Sequence, residues 1–174
     1  MSRPRIALVA LAAALLVNTS VTVAGAAPGD DGGSALAEVR AATARFHHRA
    51  TAEAAGYGFI PGLDHCFVAD DPADGAMGYH LIDASRLDLD LDPLRPEALV
   101  YVPGPRGQLR LGAVEWIVPA EPWDAEHTHP PEVLGHHLHL NEALGVYVLH
   151  AWLFEPNPAG TFEDWNPRVS CPAP

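Results

Sequence analysis

The longest alternating run in the chain, QLRLGAVEWIVPA at residues 108–120, most constrains how the sequence can fold. Successive side chains of a β-strand point to opposite faces, so this run predicts a strand with Glu115 in its middle, among apolar neighbours. Glu115 is expected to share one face with Leu109, Leu111, Ala113 and Ile117. The opposite face carries Gly112, Val114, Trp116 and Val118. Glu115 needs a partner there, because an unpaired buried carboxylate is strongly destabilising.

A helix is predicted before the strands. The segment SALAEVRAATARFHHRATAEAAGYG begins at Ser34, a favourable N-cap, and repeats apolar side chains at helical spacing. Alanines fill many of the remaining positions, and Gly56 favours the end of the helix. The sequence therefore predicts one amphipathic helix over residues 35–55.

Three further apolar segments, separated by proline and glycine, have the character of strands. They are MGYHLID at 77–83, EALVYVP at 97–103 and GVYVLHAWLFE at 145–155. A helix followed by strands with local turns predicts an α+β fold. We expect one N-terminal amphipathic helix packed on a curled, mainly antiparallel sheet, in a single domain over residues 35–174.

The beginning of the chain predicts export. The basic residues of MSRPR precede the apolar run IALVALAAALLV and the small residues VAGAA, which is the layout of a secretory signal peptide. The apolar run is shorter than the roughly 20 residues of a spanning helix, so no membrane insertion is expected after cleavage. We expect residues 1–27 to be a signal peptide and residues 28–34 a flexible leader. The mature protein is expected to be secreted or extracytoplasmic.

The charge balance excludes two classes of partner. The chain has 22 acidic and 10 basic residues and a formal net charge of −12, and its basic residues are all arginine. Such a surface repels nucleic acid and anionic membranes, so neither is expected to bind. It attracts cations, although most of the acids are expected to form only a solvated surface. Protein partners are left open by the sequence.

Cys66 and Cys171 are the 2 cysteines of the chain. In an exported protein a single pair predicts one disulfide bond. Closing a loop of about a hundred residues stabilises a fold by roughly 4–5 kcal/mol in the chain-entropy model. The bond would join the proline-rich C-terminal tail to the start of the β region.

Two histidines join Glu115 as candidate ligands. His150 lies on an apolar face of its predicted strand, with Phe154 further along that face, and His80 lies in the middle of another strand. Two histidines and a glutamate with an open position are a standard ligand set for Zn²⁺ or a non-haem metal. The same residues are compatible with a metal-free Glu–His hydrogen bond, or with a histidine bonded to a core carbonyl group.

The segment HTHPPEVLGHHLHL, residues 127–140, is rich in histidine. His127 and His129 precede two prolines in an acidic stretch, which indicates a solvated loop. His137 and His139 would face one side if their segment is extended. Neutral imidazole binds Cu²⁺ and Zn²⁺, but loop ligands are not preorganised. We therefore expect at most one or two of these histidines in a defined site.

Five motifs of the chain resemble a family of small exported bacterial proteins of unassigned function. The motifs are MGYH at 77–80, LDPLRPEALVY at 91–101, LRLGAVEWIVP at 109–119, LHAW at 149–152 and NPAGTFEDWNPRVSC at 157–171. The resemblance covers most of the mature chain. It implies a cysteine pair at the positions of Cys66 and Cys171.

The resemblance also bears on the histidines. It implies that His80, Glu115 and His150 recur in the family, and His139 in some members. Many members resemble Gln-Pro or Arg-Pro where this chain has His136 and His137, and His65 often has no counterpart. Much of the histidine-rich segment is therefore expected to be peculiar to this chain.

These observations lead to a metal-binding hypothesis. We expect a secreted domain that holds a divalent transition metal through His80, Glu115 and His150, with His139 as a fourth or nearby ligand. Copper or zinc is favoured over iron, because imidazole suits both and exported Fe²⁺ oxidises readily. The sequence shows no substrate-binding group, so whether the chain is an enzyme stays open.

Two alternatives to the metal site also stay open. A metal-free module could enclose a small apolar ligand, with Glu115 and His150 as a polar contact at its base. The expected lining is Trp116, Trp152, Tyr79 and Phe154, although an aromatic stripe is more often plain core. The other alternative is an envelope protein whose acidic, histidine-rich face makes protein contacts.

Overall fold

The structure is a computed structural model that describes residues 31–172. The predicted signal peptide, residues 1–27, lies outside the described residues, and so does the start of the predicted leader. The rest of that leader, residues 31–34, forms the beginning of the first helix. In the described part of the chain, no helix has both the length and the apolar character needed to cross a membrane.

The predicted single helix over residues 35–55 is divided into three pieces. These are α1 (Asp31–Thr43), a 3₁₀-helix (Ala44–His47) and α2 (Arg49–Ala54). The Thr43 hydroxyl donates to the Val39 carbonyl at 2.7 Å, a contact that tends to bend helices. The Phe46 carbonyl accepts the Tyr101 hydroxyl instead of continuing the helical ladder. Tertiary bonding therefore divides a segment whose local pattern is continuous.

The β part of the chain follows the predicted order. The strands are β1 (Phe67–Val68), β2 (Ala76–Ile82), β3 (Ala98–Pro103), β4 (Leu109–Pro119), β5 (Glu132–Val133), β6 (His136–His137), β7 (His139–Asn141) and β8 (Val146–Ala151). Two short helical segments interrupt them, a 3₁₀-helix at Ala84–Arg86 and α3 at Ala120–Glu126.

Six of the strands form one curled antiparallel sheet, in the order β1-β2-β3-β4-β8-β7, within the part of the chain described. β5 and β6 pair separately as a small hairpin. Residues 83–97, which include the 3₁₀-helix at Ala84–Arg86, join β2 to β3, and a short turn at residues 104–108 joins β3 to β4. Both strand pairs are antiparallel. The α+β fold class predicted from the sequence is confirmed.

A bulge at Gly112 changes the predicted faces of β4. Val100 pairs with Ala113, whereas Tyr101 pairs with Leu111, so Gly112 is an extra residue in the ladder. The prediction that Leu109 and Leu111 share a face with Glu115 is therefore wrong. Strict alternation holds only on the far side of the bulge, where Ala113 and Ile117 lie on the face of Glu115.

The two faces of the sheet carry different cores. On the helix side, Phe46 and Val39 pack with Leu99, Trp116 and other large side chains of the strands. The opposite face, here called the cavity side, carries two smaller apolar groups and the polar residues described below. Phe154 packs with the helix-side core rather than with His150, because β8 ends at Ala151 and the alternation ends with it.

The predicted disulfide between Cys66 and Cys171 is present, with 5.8 Å between the two Cα atoms. It spans 105 residues and joins the segment before β1 to the C-terminal tail. The tail also contributes Val169, which packs with Val100 and Trp152 on the cavity side. The cross-link therefore holds the last segment of the chain against the sheet. Disulfides are typical of oxidising, extracytoplasmic compartments.

Candidate metal centre

His80, Glu115 and His150 converge on the cavity side of the sheet. They lie on β2, β4 and β8, and Glu115 is directly opposite His150 in the ladder. β3 lies between β2 and β4, and its residue opposite Glu115 is Ala98. Because the Ala98 side chain is only a methyl group, it leaves room for the longer side chains of His80 and Glu115 to meet above β3.

The three side chains present their ligand atoms to a common point. The Nε2 atoms of His80 and His150 are 3.2 Å apart. Glu115 Oε2 lies 3.5 Å from His80 Nε2, and Glu115 Oε1 lies 3.7 Å from His150 Nε2. Ligand atoms about 2.0–2.1 Å from one tetrahedral ion are roughly 3.3 Å from each other. The two imidazole nitrogens are therefore separated by about one edge of such a tetrahedron, and the carboxylate lies beside both of them.

Direct hydrogen bonding accounts less well for the position of Glu115. Charge-assisted N–H···O bonds have lengths of about 2.7–2.9 Å, shorter than both of the Glu115–imidazole distances. All three residues are buried, with exposed fractions of 6% for His80, 5% for Glu115 and 1% for His150. Together they can hold a metal ion.

Asp164 orients His150 from behind. Its Oδ1 atom lies 3.2 Å from His150 Nδ1, and its Oδ2 atom lies 3.0 Å from His139 Nε2. With the Nδ1–H of His150 donating to Asp164, the Nε2 lone pair of a neutral His150 faces Glu115 and His80. A carboxylate that fixes the tautomer of a ligand histidine is a regular part of metal sites.

The environment moves the pKa values of the two buried imidazoles in opposite directions. Burial, and then the neighbouring charge of His150, lower the pKa of His80 to about 3, so His80 is neutral. Burial also acts to lower the pKa of His150, but the carboxylates of Glu115 and Asp164 reverse this and raise it. His80 Nδ1 is buried without a hydrogen-bond partner in the described part of the chain.

The pKa values of the carboxylates of Glu115 and Asp164 also move in opposite directions. Burial raises the pKa of Glu115, which lacks a short hydrogen bond to its two imidazole neighbours. Burial acts in the same direction on Asp164, but hydrogen bonds from His139 and His150 hold its pKa well below the usual range. The bond to Asp164 raises the pKa of His139. Glu115 therefore lacks a short hydrogen bond, and His80 Nδ1 has no partner among the described residues, whereas a cation beside Glu115 and the two Nε2 atoms would use the lone pairs that face it.

His139 lies outside the three-residue cluster. It was expected as a fourth or nearby ligand, but its imidazole contacts Asp164, and its side chain is 49% exposed. Among the described residues, His80, Glu115 and His150 are the group whose ligand atoms all lie within 4.8 Å of one another. His139 is therefore joined to the cluster through Asp164.

The rest of the histidine-rich segment lies on the surface. His127 stacks on Trp123 with 3.8 Å between ring centroids, and the His129 carbonyl accepts the Trp123 indole N–H. His136 packs on Phe162, and His137 lies 3.8 Å from Glu132 in the β5–β6 hairpin. These imidazoles are exposed and do not belong to the cluster.

The cluster lines a cavity of about 280 Å³ on the cavity side of the sheet. The expected aromatic lining is wrong. Trp116, Tyr79 and Phe154 pack in the helix-side core, and Trp152 packs with Val100 and Val102. The walls are mainly aliphatic side chains from the sheet and from the loops at residues 60–67 and 141–146.

Sequence reasoning missed two buried or part-buried acids. Asp164 lies in an irregular segment, where alternation gives no signal. The sequence contained one chemical signal: a ligand histidine needs an acceptor for its second nitrogen. Asp164, which lies between the aromatic residues Phe162 and Trp165, can be that acceptor. Glu97, directly before β3, is fully buried and accepts the Ile117 amide at 3.0 Å. Its burial raises its pKa to about 7.

Comparison of the chain with protein-family models, with curated protein sequences and with solved structures gave no match. The resemblance to exported bacterial proteins, based on the motifs, stays a prediction. Fold and site together define the class of protein: a disulfide-bonded α+β chain with a buried His–Glu–His cluster open to a cavity.

Proposed function

We propose that the chain binds one divalent transition metal ion, copper or zinc, through His80 Nε2, His150 Nε2 and the Glu115 carboxylate. The observation that carries this proposal is the convergence of three buried residues, each of which offers one ligand atom within 4.8 Å of the others, with 3.2 Å between the two imidazole Nε2 atoms. Ligand atoms this close together suit one ion. The two contacts of the Glu115 carboxylate, at 3.5 and 3.7 Å, are longer than a usual hydrogen bond.

The ligand set supports zinc or copper. Imidazole nitrogen suits both metals, and one carboxylate with two imidazoles leaves a position free in a tetrahedral site. A metal ion in such a site acts as a Lewis acid towards a bound oxygen. Asp164 would hold His150 in the ligating tautomer, with His139 supporting Asp164 from the surface.

The surroundings support an extracytoplasmic setting for this function. The Cys66–Cys171 disulfide needs an oxidising compartment, and the acidic chain attracts cations. Secretion follows from the predicted signal peptide over residues 1–27, which we include in the proposal.

A metal-free pocket for a small apolar ligand is the second candidate. The aliphatic cavity beside the cluster favours it. In that case Glu115 and the two imidazoles would be a polar contact only, and removing one of them would leave ligand binding largely intact.

Elemental analysis of protein purified without a histidine tag tests the first candidate. We expect about one metal ion per chain in the wild type and in His127→Ala, whose imidazole is exposed on the surface. His150→Ala and the nearly isosteric Glu115→Gln should lose the metal, with circular dichroism showing that each variant is folded. Equal metal content in all four proteins would contradict the proposal.

A further inference from the structure

The free side of the cluster faces the cavity. His80, Glu115 and His150 all contribute to the cavity wall, while the backbone of the sheet lies behind them. An ion held by these three residues therefore has its fourth position directed into the cavity rather than into bulk water.

The cavity combines a polar cluster with apolar walls. Its polar side chains are those of the cluster, Asp164 next to it, and Asn141, whose side chain accepts the Leu144 amide. Aliphatic and aromatic side chains form most of the other walls, among them Ile60, Leu63, Phe67, Ile117, Leu144 and Val148. Leu144 is 49% exposed, so it lies where the cavity meets solvent.

The cavity has a volume of about 280 Å³ and opens to solvent. It therefore has room for a small molecule with an aliphatic tail against its walls.

The ion itself favours an anionic oxygen donor in its free position. A divalent ion with Glu115 as its one carboxylate ligand keeps a single positive charge on the ion and its ligands. Asp164, the other acid in the lining, has its two oxygens turned to His139 and His150. A second anion with an oxygen donor can therefore complete the coordination.

We infer that the site binds a small amphiphilic carboxylate, with its oxygen on the metal ion and its aliphatic chain in the cavity. This inference rests on the proposed metal function and names its ligand class. The metal selects the head group, and the aliphatic walls select the tail, because each buried methylene strengthens binding by roughly fourfold.

Calorimetric titration with octanoate and acetate tests the inference. The zinc-loaded chain should bind octanoate at least tenfold more tightly than acetate. Metal-free Glu115→Gln should bind octanoate at least tenfold more weakly than the zinc-loaded wild type. Leu144→Asp, at the mouth, should weaken octanoate binding by at least tenfold without changing the zinc content.

Leu94→Asp is the matched control, since Leu94 is 43% exposed and is not part of the cavity wall. It should leave octanoate binding unchanged. A chain that takes up one zinc ion but binds octanoate and acetate equally overturns this inference alone. Equal octanoate binding with and without metal also overturns it. A chain that takes up no zinc overturns the proposed function as well.

Discussion

The Nδ1 atom of His150 and the Oδ1 atom of Asp164 lie 3.2 Å apart, while the other oxygen of Asp164 contacts His139. Asp164 thereby connects a fully buried imidazole to an exposed one. The contact fixes which nitrogen of His150 faces the cluster, and it explains why a residue from an irregular segment matters for a site built on strands.

Asp164→Asn should lower metal affinity by roughly 10- to 100-fold without removing a ligand. The amide no longer has the charge that holds His150 in its tautomer, but His80, Glu115 and His150 all remain. Competition with a chelator of known affinity measures the change. Glu163→Gln is the neighbouring control and should have no effect, because the contact of Glu163 with Trp152 uses its backbone carbonyl. An unchanged affinity in Asp164→Asn would contradict the orienting role.

His139→Ala should retain about one metal ion per chain at saturation. His139 reaches the cluster only through Asp164, so its loss should weaken binding less than the loss of a direct ligand does. The metal content of His139→Ala, compared with that of His150→Ala, decides between the two roles. Complete loss of the metal in both variants would show that His139 is itself a ligand.

Reducing the Cys66–Cys171 bond should destabilise the fold by about 4–5 kcal/mol, since it closes a loop of 105 residues in the unfolded chain. Urea unfolding of the wild type and of a Cys66→Ala, Cys171→Ala double variant measures this difference. The wild type with its bond reduced should match the double variant. A loss below about 1 kcal/mol would show that the tail is held by packing alone.

Glu97 should make the fold less stable as the pH rises from about 4.5 to about 7. Its pKa is about 7 in the folded chain against 4.5 as the ordinary value. In this interval the unfolded chain has already lost the proton that the folded chain still binds, so unfolding becomes more favourable with rising pH. The total loss is about 3 kcal/mol and is complete above pH 7.

Glu97→Gln should remove this pH dependence, because the amide does not titrate and can still accept the Ile117 N–H. Urea unfolding of both proteins at several pH values from 4.5 to 8 gives the comparison. Parallel stability curves for wild type and variant would refute the assignment to Glu97.

Gly78→Ala should destabilise the fold by more than about 2 kcal/mol. Gly78 has φ +109°, and a Cβ there would lie 2.5 Å from the Tyr101 carbonyl oxygen on β3. Gly62→Ala separates the backbone strain from the steric clash, because Gly62 has φ +88° but open space around it. Its cost should be only the backbone strain, about 1 kcal/mol. Similar losses in the two variants, measured by thermal unfolding, would show that the close approach of β2 to β3 contributes nothing.

Alternation located the strands and placed Glu115 and His150 in mid-strand among apolar residues, because regular strands show their two faces in the sequence. The structure then places the two residues opposite each other. Alternation assigned the wrong faces before Gly112, where an extra residue shifts the ladder. A single glycine in a strand is not enough to predict a bulge. Alternation also failed at Phe154, which follows the last residue of β8.

The helix and the site show the other limit of sequence reasoning. The helix is divided near Phe46 by a bond from Tyr101, a residue 55 positions away in the chain, which no local pattern contains. In the same way, the alternation within each strand could not show that His80 and Glu115 would meet above Ala98, since this depends on the order of the strands. Their meeting was predicted only from their chemistry as metal ligands. Chemistry suggested the three residues, and topology brought them together.

The most direct test of the metal site is an anomalous-difference map of a zinc-loaded crystal at the zinc absorption edge. The account predicts one strong peak per chain, about 2.0–2.1 Å from His80 Nε2, His150 Nε2 and a Glu115 carboxylate oxygen. A peak among the exposed histidines of residues 127–137, with none at the cluster, would contradict it.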